Sequence, residues 1–335
     1  MQAALVSRAE IVRWLAHHAP DWTNPLHLER LTGGLLNDVW RVKFASRSAI
    51  WKYAPPFVAS APDIPLTSIR IFFEVQALQK LTDAKKIAFG VRLPRVLAFD
   101  AVSSVLLMED MGIWPHLGEA LDAGTATAEH GKQLGHWLGT LHRQTRHDPF
   151  WATQHRNQSI QQTRRLVQYA AIGSLLADFG HAEAEALGCI AEGLGDRFLG
   201  NGVCLTMGDL WPPSVLVREH GLAVIDWEFS HYGHPAQDVG HLLAHLWMQA
   251  HRLSGARREG VTVFKAAFLE GYAASVGDWW TPDMRRDTEI HLGAEILVRT
   301  IGAFRAGSGY ENAPESRIRE AVTFATNRIR FKINR

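Results

Sequence analysis

The sequence predicts an α+β protein in two lobes, a small β-rich N-terminal lobe and a larger, mainly helical C-terminal lobe. Three observations predict it. Apolar residues alternate in short runs before Asp110, and after Gly112 they recur at helical spacing. The chain has 335 residues, too long for one compact core. A short segment near Glu109 joins the two regions, which places the domains at 1–110 and 111–335.

Each element follows from its local pattern. Ser7 is positioned to cap a helix whose Ile11, Val12 and Leu15 share one face. Leu26 to Leu31 alternates, Gly33-Gly34 interrupts, Val39 to Phe44 alternates again, and Ser48 to Tyr53 is a third short run. Pro55, Pro56, Pro62 and Pro65 then predict a stiff loop that neither a helix nor a central strand would tolerate. A helix is expected from about Thr67 to Leu81, with Ile71, Val75 and Leu78 inward, followed by strands at Arg95 to Phe99 and Ser104 to Met108. Beyond Gly112, helices are expected at Thr127 to Thr145, Gln158 to Leu176 and Ala182 to Phe198. A small β insertion from Val203 to Trp227 breaks that series. Helices resume at Ala236 to His251, Gly260 to Ala274, Asp287 to Phe304 and Glu315 to Ile329.

Composition narrows the function classes. Thirty-five basic residues against 34 acids give a formal charge of +1, with no basic tail, so a nucleic-acid or anionic-membrane partner is not expected. The two cysteines, Cys189 and Cys204, form no C-x-x-C pair and read as small core side chains. The opening residues lack the apolar stretch of a signal peptide, and nothing is long and apolar enough to span a bilayer. A cytoplasmic enzyme is the expectation.

The chemistry concentrates in TMGDLWPPSVLVREHGLAVIDWEFSHYGHPAQD, residues 206–238. Val215 to Val217 and Leu222 to Ile225 flank a polar stretch ending in Gly221, the pattern of a β-hairpin. A turn centred on His220 would set Ser214 opposite Asp226, with Asp209 on a loop stiffened by Pro212 and Pro213 and Glu228 just beyond. Mg2+ wants oxygen ligands and is commonly bound by one or two carboxylates plus substrate phosphates, a set that Asp226 with Ser214 or Glu228 supplies. Asp209 could accept the proton of an incoming hydroxyl. Alone, a Gly-Asp pair is a turn and a strand-end Asp is a cap; the spaced set together favours the chemical reading.

This segment resembles the catalytic and metal-binding part of the aminoglycoside phosphotransferase and choline kinase superfamily, a branch of the protein-kinase-like fold. Its loop pattern there is H-G-D-x-x-x-x-N, followed by a metal-binding Asp. The methylthioribose kinase type is nearest, with Ser in place of Asn and an Asp-x-Glu second motif, as in Ser214 and Asp226-Trp227-Glu228 here. The resemblance implies ATP-dependent transfer of the γ-phosphate to a hydroxyl of a small molecule, a sugar or thiosugar, an amino alcohol or a hydroxylated antibiotic, with Asp209 as base. Asp226, Glu228 and Ser214 would approach Mg2+, and Asp238 would steady the catalytic loop. Lys52 sits inside an apolar strand, where an unpaired ammonium is costly, so it needs an anion, and Glu74 on the following helix is well placed; the resemblance implies that this pair grips the α- and β-phosphates. Gly33, Gly34 and Asn37 would cover the phosphates, and backbone groups near Glu109 to Met111 would meet adenine. An edge-strand lysine and a plain hairpin turn are the bland alternatives for Lys52 and Gly33-Gly34.

Two departures matter. Met207 stands where the superfamily has His, and Ser214 is a weaker metal ligand than a carboxylate. They leave open a nucleotide-binding pseudokinase that serves as an interaction module. His231, His234, His241 and His245 invite a zinc reading, but Leu242 occupies the place of a zinc protease's Glu, so buried structural histidines are expected. The acceptor side is least legible. Glu295 and Arg299, one turn apart, would pair with each other or bind a polar acceptor, and Trp279-Trp280 could floor a pocket.

Overall fold

A computed structural model describes residues 5–32, 34–83, 90–200, 202–219, 221–305 and 308–330. In chain order the elements begin with α1 (Arg8–His18), β1 (His27–Arg30), β2 (Asp38–Lys43), β3 (Ser48–Tyr53), β4 (Phe57–Val58), β5 (Ala61–Pro65) and α2 (Arg70–Asp83). They continue with β6 (Val91–Arg92), β7 (Val96–Asp100), β8 (Val105–Glu109), α3 (Leu117–Ala123), α4 (Ala128–Gln144), α5 (Pro149–Gln154), α6 (Gln158–Arg164), α7 (Ile172–Asp178) and α8 (Ala184–Leu199). The last are β9 (Cys204–Thr206), β10 (Val215–Arg218), β11 (Gly221–Val224), β12 (His231–Gly233), α9 (Ala236–Arg252), α10 (Gly255–Val276), α11 (Pro282–Thr300) and α12 (Glu315–Ile329). No helix among the described residues is long and apolar enough to cross a membrane.

The chain divides into two compact units. The first comprises Met1–Lys86, Arg92–Trp114 and Ile225–Phe229; the second comprises Ile87–Val91, Pro115–Val224 and Ser230–Arg335. The five residues Ile225–Phe229, grouped in the sequence with the helical remainder, thus cluster with the β-rich part.

The first unit is built on an antiparallel sheet in the order β1-β2-β3-β8-β7. Its strands alternate because one face covers a core of Ile11, Trp14, Leu15, Trp40, Val42 and Trp51. Trp51 meets Trp14 edge-on, with ring centroids 6.3 Å apart, so the next residue on β3, Lys52, points to the other face. Ser7 closes a capping box with Glu10 at the start of α1. Of the three residues expected on the inner face of α1, Ile11 and Leu15 are buried while Val12 is exposed, and Trp14 takes its place. The proline-rich stretch corrects the expectation of a loop, since β4 and β5 form a two-stranded ribbon. In a lone ribbon each strand has a free edge, where a residue without an N–H loses no ladder bond.

In the second unit α4 and α10 lie close together. A methyl group at Gly135 would run into the Phe268 carbonyl, so glycine is what permits this approach. The single helix expected over 158–176 is α6 and α7 joined by a π-helical stretch, Arg165–Ala170. Such stretches wind one residue too many into a turn and often sit at functional sites. The helices α3 and α5 escaped the sequence pattern because each is only two turns or less. His116 and Asp148 accept hydrogen bonds from their first-turn amides, which marks their starts. The hairpin β10–β11 pairs Val215 with Val224 and Arg218 with Gly221. Its register is one residue away from the expected one in which Ser214 faces Asp226. The pairing of Arg218 with Gly221 sets the centre of the hairpin half a residue before the expected one at His220, which lies outside the described residues.

Candidate active site

The first unit gathers four charged side chains, Glu74, Asp226, Glu228 and Arg70, around Lys52. Its ammonium is 2.8 Å from Glu74 Oε2, 3.0 Å from Asp226 Oδ1 and 3.6 Å from Glu228 Oε1, and the side chain is 1% exposed. β3 delivers Lys52 to the face opposite Trp51, and α2 carries Glu74 to it. Burial alone would strip the proton from Lys52. The carboxylates of Glu228, Glu74 and Asp226 outweigh it and hold the ammonium well above its usual range. Glu74 is pushed up by its burial, with Glu228 and Asp226 adding to the push, and Lys52 pulling it back.

Arg70, fully buried one turn before Glu74 on α2, is the member the sequence reading missed. Its Nε lies 2.7 Å from Glu228 Oε2, and its other nitrogens donate to the carbonyls of Leu36, Pro55 and Thr67 and to Asn37 Oδ1. Asn37 in turn donates to Glu228 Oε1 at 2.6 Å. Both oxygens of Glu228 are therefore engaged by Asn37 and Arg70, and Asn37 faces that carboxylate. Spacing held the signal: Arg70 and Glu74 stand four apart at the start of a helix, where i,i+4 residues are neighbours.

Asp226 differs from Glu228. Its side chain is 47% exposed, and its φ of 64° places a non-glycine residue in the left-handed region. Such backbone persists only where the surroundings impose it, and it gathers at functional sites. Of the phosphate-covering residues, Gly34 has open space where a side chain would begin, and Gly33 lies outside the described residues. Glu109 is part of the sheet. Its N–H donates to the Arg95 carbonyl at 2.8 Å and its carboxylate meets Arg92 and Arg95. Met111 is buried. Between them Asp110 accepts from Arg41 Nε and Ser48 Oγ, each at 2.7 Å, and from the Gly112 amide at 2.9 Å, fixing the segment that follows β8.

The second unit holds Asp209 after Gly208, whose φ of +80° is open to glycine without strain. Arg164 Nη2 donates to Asp209 Oδ1 at 2.7 Å, and His241 Nε2 lies 3.2 Å from the same oxygen. Burial would raise the Asp209 carboxyl. His241, Arg164 and Arg299 outweigh it and hold the group below the ordinary carboxylate range. Arg164 comes from the last turn of α6, just ahead of the π-helical stretch. Ser214 is fully buried and its Oγ donates to the Trp211 carbonyl at 2.8 Å, closing the short turn at Pro212–Ser214.

Asp238 on α9 accepts from the amides of Met207 (Oδ2) and Gly208 (Oδ1), both at 2.8 Å, and His142 Nε2 sits 3.1 Å from the same Oδ2 that takes the Met207 amide. His142 is braced by the Tyr272 hydroxyl at 2.9 Å. The imidazole missing at position 207 thus has a counterpart from α4, 96 residues away from Asp238 in sequence, a pairing no local pattern could reveal. Met207 itself is a buried apolar side chain. Met207→Leu is therefore expected to cost less than about 1.5 kcal/mol. Asp238→Ala leaves two amides and His142 without their acceptor and should cost about 3–5 kcal/mol, as breaking a buried pair does. Urea midpoints of the two variants check the contrast; equal losses would remove Asp238 from its supporting role.

Glu295 and Arg299 pair, with Arg299 Nε 2.8 Å from Glu295 Oε1. Arg299 also lies over the Trp211 ring. Trp280 packs edge-on against Tyr272, and Trp279 lies under Arg146.

Comparison with known proteins adds relatives to this geometry. The model of a phosphotransferase enzyme family matches residues 27–288. A 4-hydroxytryptamine kinase of Psilocybe cubensis is 25% identical over 289 residues, covering 78% of each chain. A methylthioribose kinase of Bacillus velezensis is 30% identical over 127 residues, 33% of this chain and 32% of that one. Among solved structures, an amicoumacin kinase in complex with AMP-PNP and Ca2+ superposes with a TM-score of 0.60 at 15% identity, covering 97% of this chain and 94% of that one.

Proposed function

Because the chain belongs to the phosphotransferase enzyme family, we propose that it moves the γ-phosphoryl group of ATP to a hydroxyl of a small molecule, with Asp209 as the base. The observation that carries this reading is the buried Lys52–Glu74 pair with Asp226 held beside it in left-handed backbone. A lysine so buried and so strongly held in its charged form is a fixed positive charge for the α- and β-phosphates.

The residues present suit a divalent ion. Asp226 carries an exposed carboxylate, held by Lys52 through one oxygen, and is the residue that would hold Mg2+. Glu228, engaged by Arg70 and Asn37, is better placed to anchor the cluster than to bind metal directly. Ser214 would act by keeping the Asp209 loop closed. When bound, Mg2+ supplies neutralisation of the phosphate oxygens. Asp209 accepts the acceptor's hydroxyl proton while the new O–P bond forms. The bond from γ-phosphorus to the β,γ-bridging oxygen breaks, and ADP leaves. Asp238, steadied by His142, holds the amides ahead of Asp209 and so fixes where its carboxylate stands.

The acceptor is taken to be a compact hydroxylated amine or sugar, in line with relatives that act on 4-hydroxytryptamine and methylthioribose. The test is ADP release with Mg·ATP against a panel of 4-hydroxytryptamine, choline, methylthioribose and aminoglycosides. Product mass is read in parallel. Acceptor-dependent ADP and a phosphorylated product are expected. Thermal stabilisation by Mg·ATP with no product from any acceptor would replace this reading by that of a nucleotide-binding module.

A further inference from the structure

His241 and His245 stand one turn apart on α9, and Glu295 on α11 faces them. His245 Nε2 is 3.1 Å from Glu295 Oε1, and His241 Nδ1 is 3.7 Å from Glu295 Oε2. One donor atom from each of the three residues falls within 4.8 Å of the others. Donors about 2.0–2.1 Å from one tetrahedral ion stand about 3.4 Å apart, so three atoms already within 4.8 Å of one another need only small side-chain adjustments to surround one. His241 is almost wholly buried, and its Nδ1, on the side of Glu295, has no aligned hydrogen-bond partner. A buried imidazole left that way costs free energy unless something else takes its lone pair. Glu295 took no part in the zinc reading of the sequence because it lies on a different helix, 50 residues from His245.

The surroundings resemble those of a bound metal's ligands. Arg299 Nε donates to Glu295 Oε1 at 2.8 Å, and Gln168, from the π-helical stretch, donates to Oε2. His241 Nε2 has the Asp209 carboxylate 3.2 Å away, leaving Nδ1 toward Glu295. Ligating imidazoles commonly show a carboxylate to their second nitrogen, and ligating carboxylates are themselves hydrogen-bonded.

We propose that His241, His245 and Glu295 form a binding site for a first-row divalent metal ion, best suited to Zn2+. Two imidazoles and one carboxylate are the donors of three-ligand zinc sites, whereas Mg2+ demands oxygen. The site is therefore distinct in chemistry from the carboxylate of Asp226. The Arg299 charge on the same carboxylate opposes the ion, so affinity is weaker than in a closed structural zinc site. Titration is then the right measurement.

Co2+ added to the full chain should give a saturable visible band of tetrahedral intensity at one equivalent, abolished by Zn2+. Loss of the outer partners of a metal site commonly costs about 10–100-fold in affinity, so loss of a ligand in His245→Phe should cost more than about 100-fold. His245→Cys should retain Co2+ and add a sulfur-to-cobalt charge-transfer band. The proposal is overturned if the parent chain shows no saturable band, or if His245→Phe titrates like the parent. Should His245→Phe fail to fold, the charge-transfer band of His245→Cys decides: its presence places the ion on this side chain, and its absence overturns the site. None of these readouts depends on phosphoryl transfer, so they stand whether or not an acceptor is found.

Discussion

Asp209→Asn is expected to lower kcat by about 10²–10⁴-fold, the usual size of a positioned base, while Mg·ATP still stabilises the protein as it does the parent. The split follows from where the groups lie. The residues assigned to the nucleotide, Lys52, Glu74 and Asp226, belong to the first unit, and Asp209 belongs to the second. Asparagine keeps an oxygen for Arg164, so the substitution does not strand that guanidinium as alanine would. The direction of the Asp209 shift adds a pH test. Held low by His241, Arg164 and Arg299, Asp209 is ionised at every pH above its ordinary range near 3.9. It cannot supply an acid limb to kcat/KM between pH 5 and 8. The same partners that hold the carboxylate ionised also fix it, so that it orients the hydroxyl in line with the phosphorus as it takes the proton. That fits a transition state with little covalent demand on the protein. A variant turning over at the parent rate, or an acid limb that disappears in Asp209→Asn, would refute the assignment.

The two halves of this chemistry were not equally legible. Asp209, Ser214, Asp226 and Glu228 fall within 20 residues and could be spaced by a hairpin argument. The structure adds that the hairpin register is one residue different from the one assumed. Lys52 was legible because an ammonium in an apolar strand demands an anion, and α2 supplies Glu74 at 2.8 Å. Arg70 was missed for a converse reason. A basic residue at the start of a helix reads as solvated, and only its six hydrogen-bond acceptors, drawn from four stretches of chain, show that it is the buried hub. The pairs His142–Asp238 and Arg164–Asp209 bridge 96 and 45 residues. Helix packing creates such contacts, and a periodic pattern records only which face is apolar, not what a polar residue on it will meet. The ribbon at 57–65 was misread because proline was weighed as a breaker without asking whether its strand had two neighbours or one.

Lys52→Met should be the most damaging single change in the first unit, costing about 3–5 kcal/mol at pH 8 and abolishing the thermal shift with Mg·ATP. Methionine fills the space of the lysine stem but leaves Glu74 buried without its cation, and Asp226 and Glu228 then repel it. Arg70 offers little relief, since its Nε is already committed to Glu228. The loss should depend on pH in a definite direction. Glu74 has a folded pKa raised above its unfolded value, so it favours folding when protonated. That contribution is complete below the unfolded value near 4.3 and is lost as pH rises through the folded value. Removing Lys52 takes away the one charge pulling Glu74 down, which lifts the folded value further and widens that window. At pH 5.5 the variant can bury a neutral carboxyl and should lose less than at pH 8, where it must either bury the charge or hold a proton against bulk solvent. Urea midpoints of parent and variant at the two pH values measure this directly. An equal loss at both would mean that the ammonium stabilises the unit by packing alone, and it would detach Glu74 from the role given to the pair.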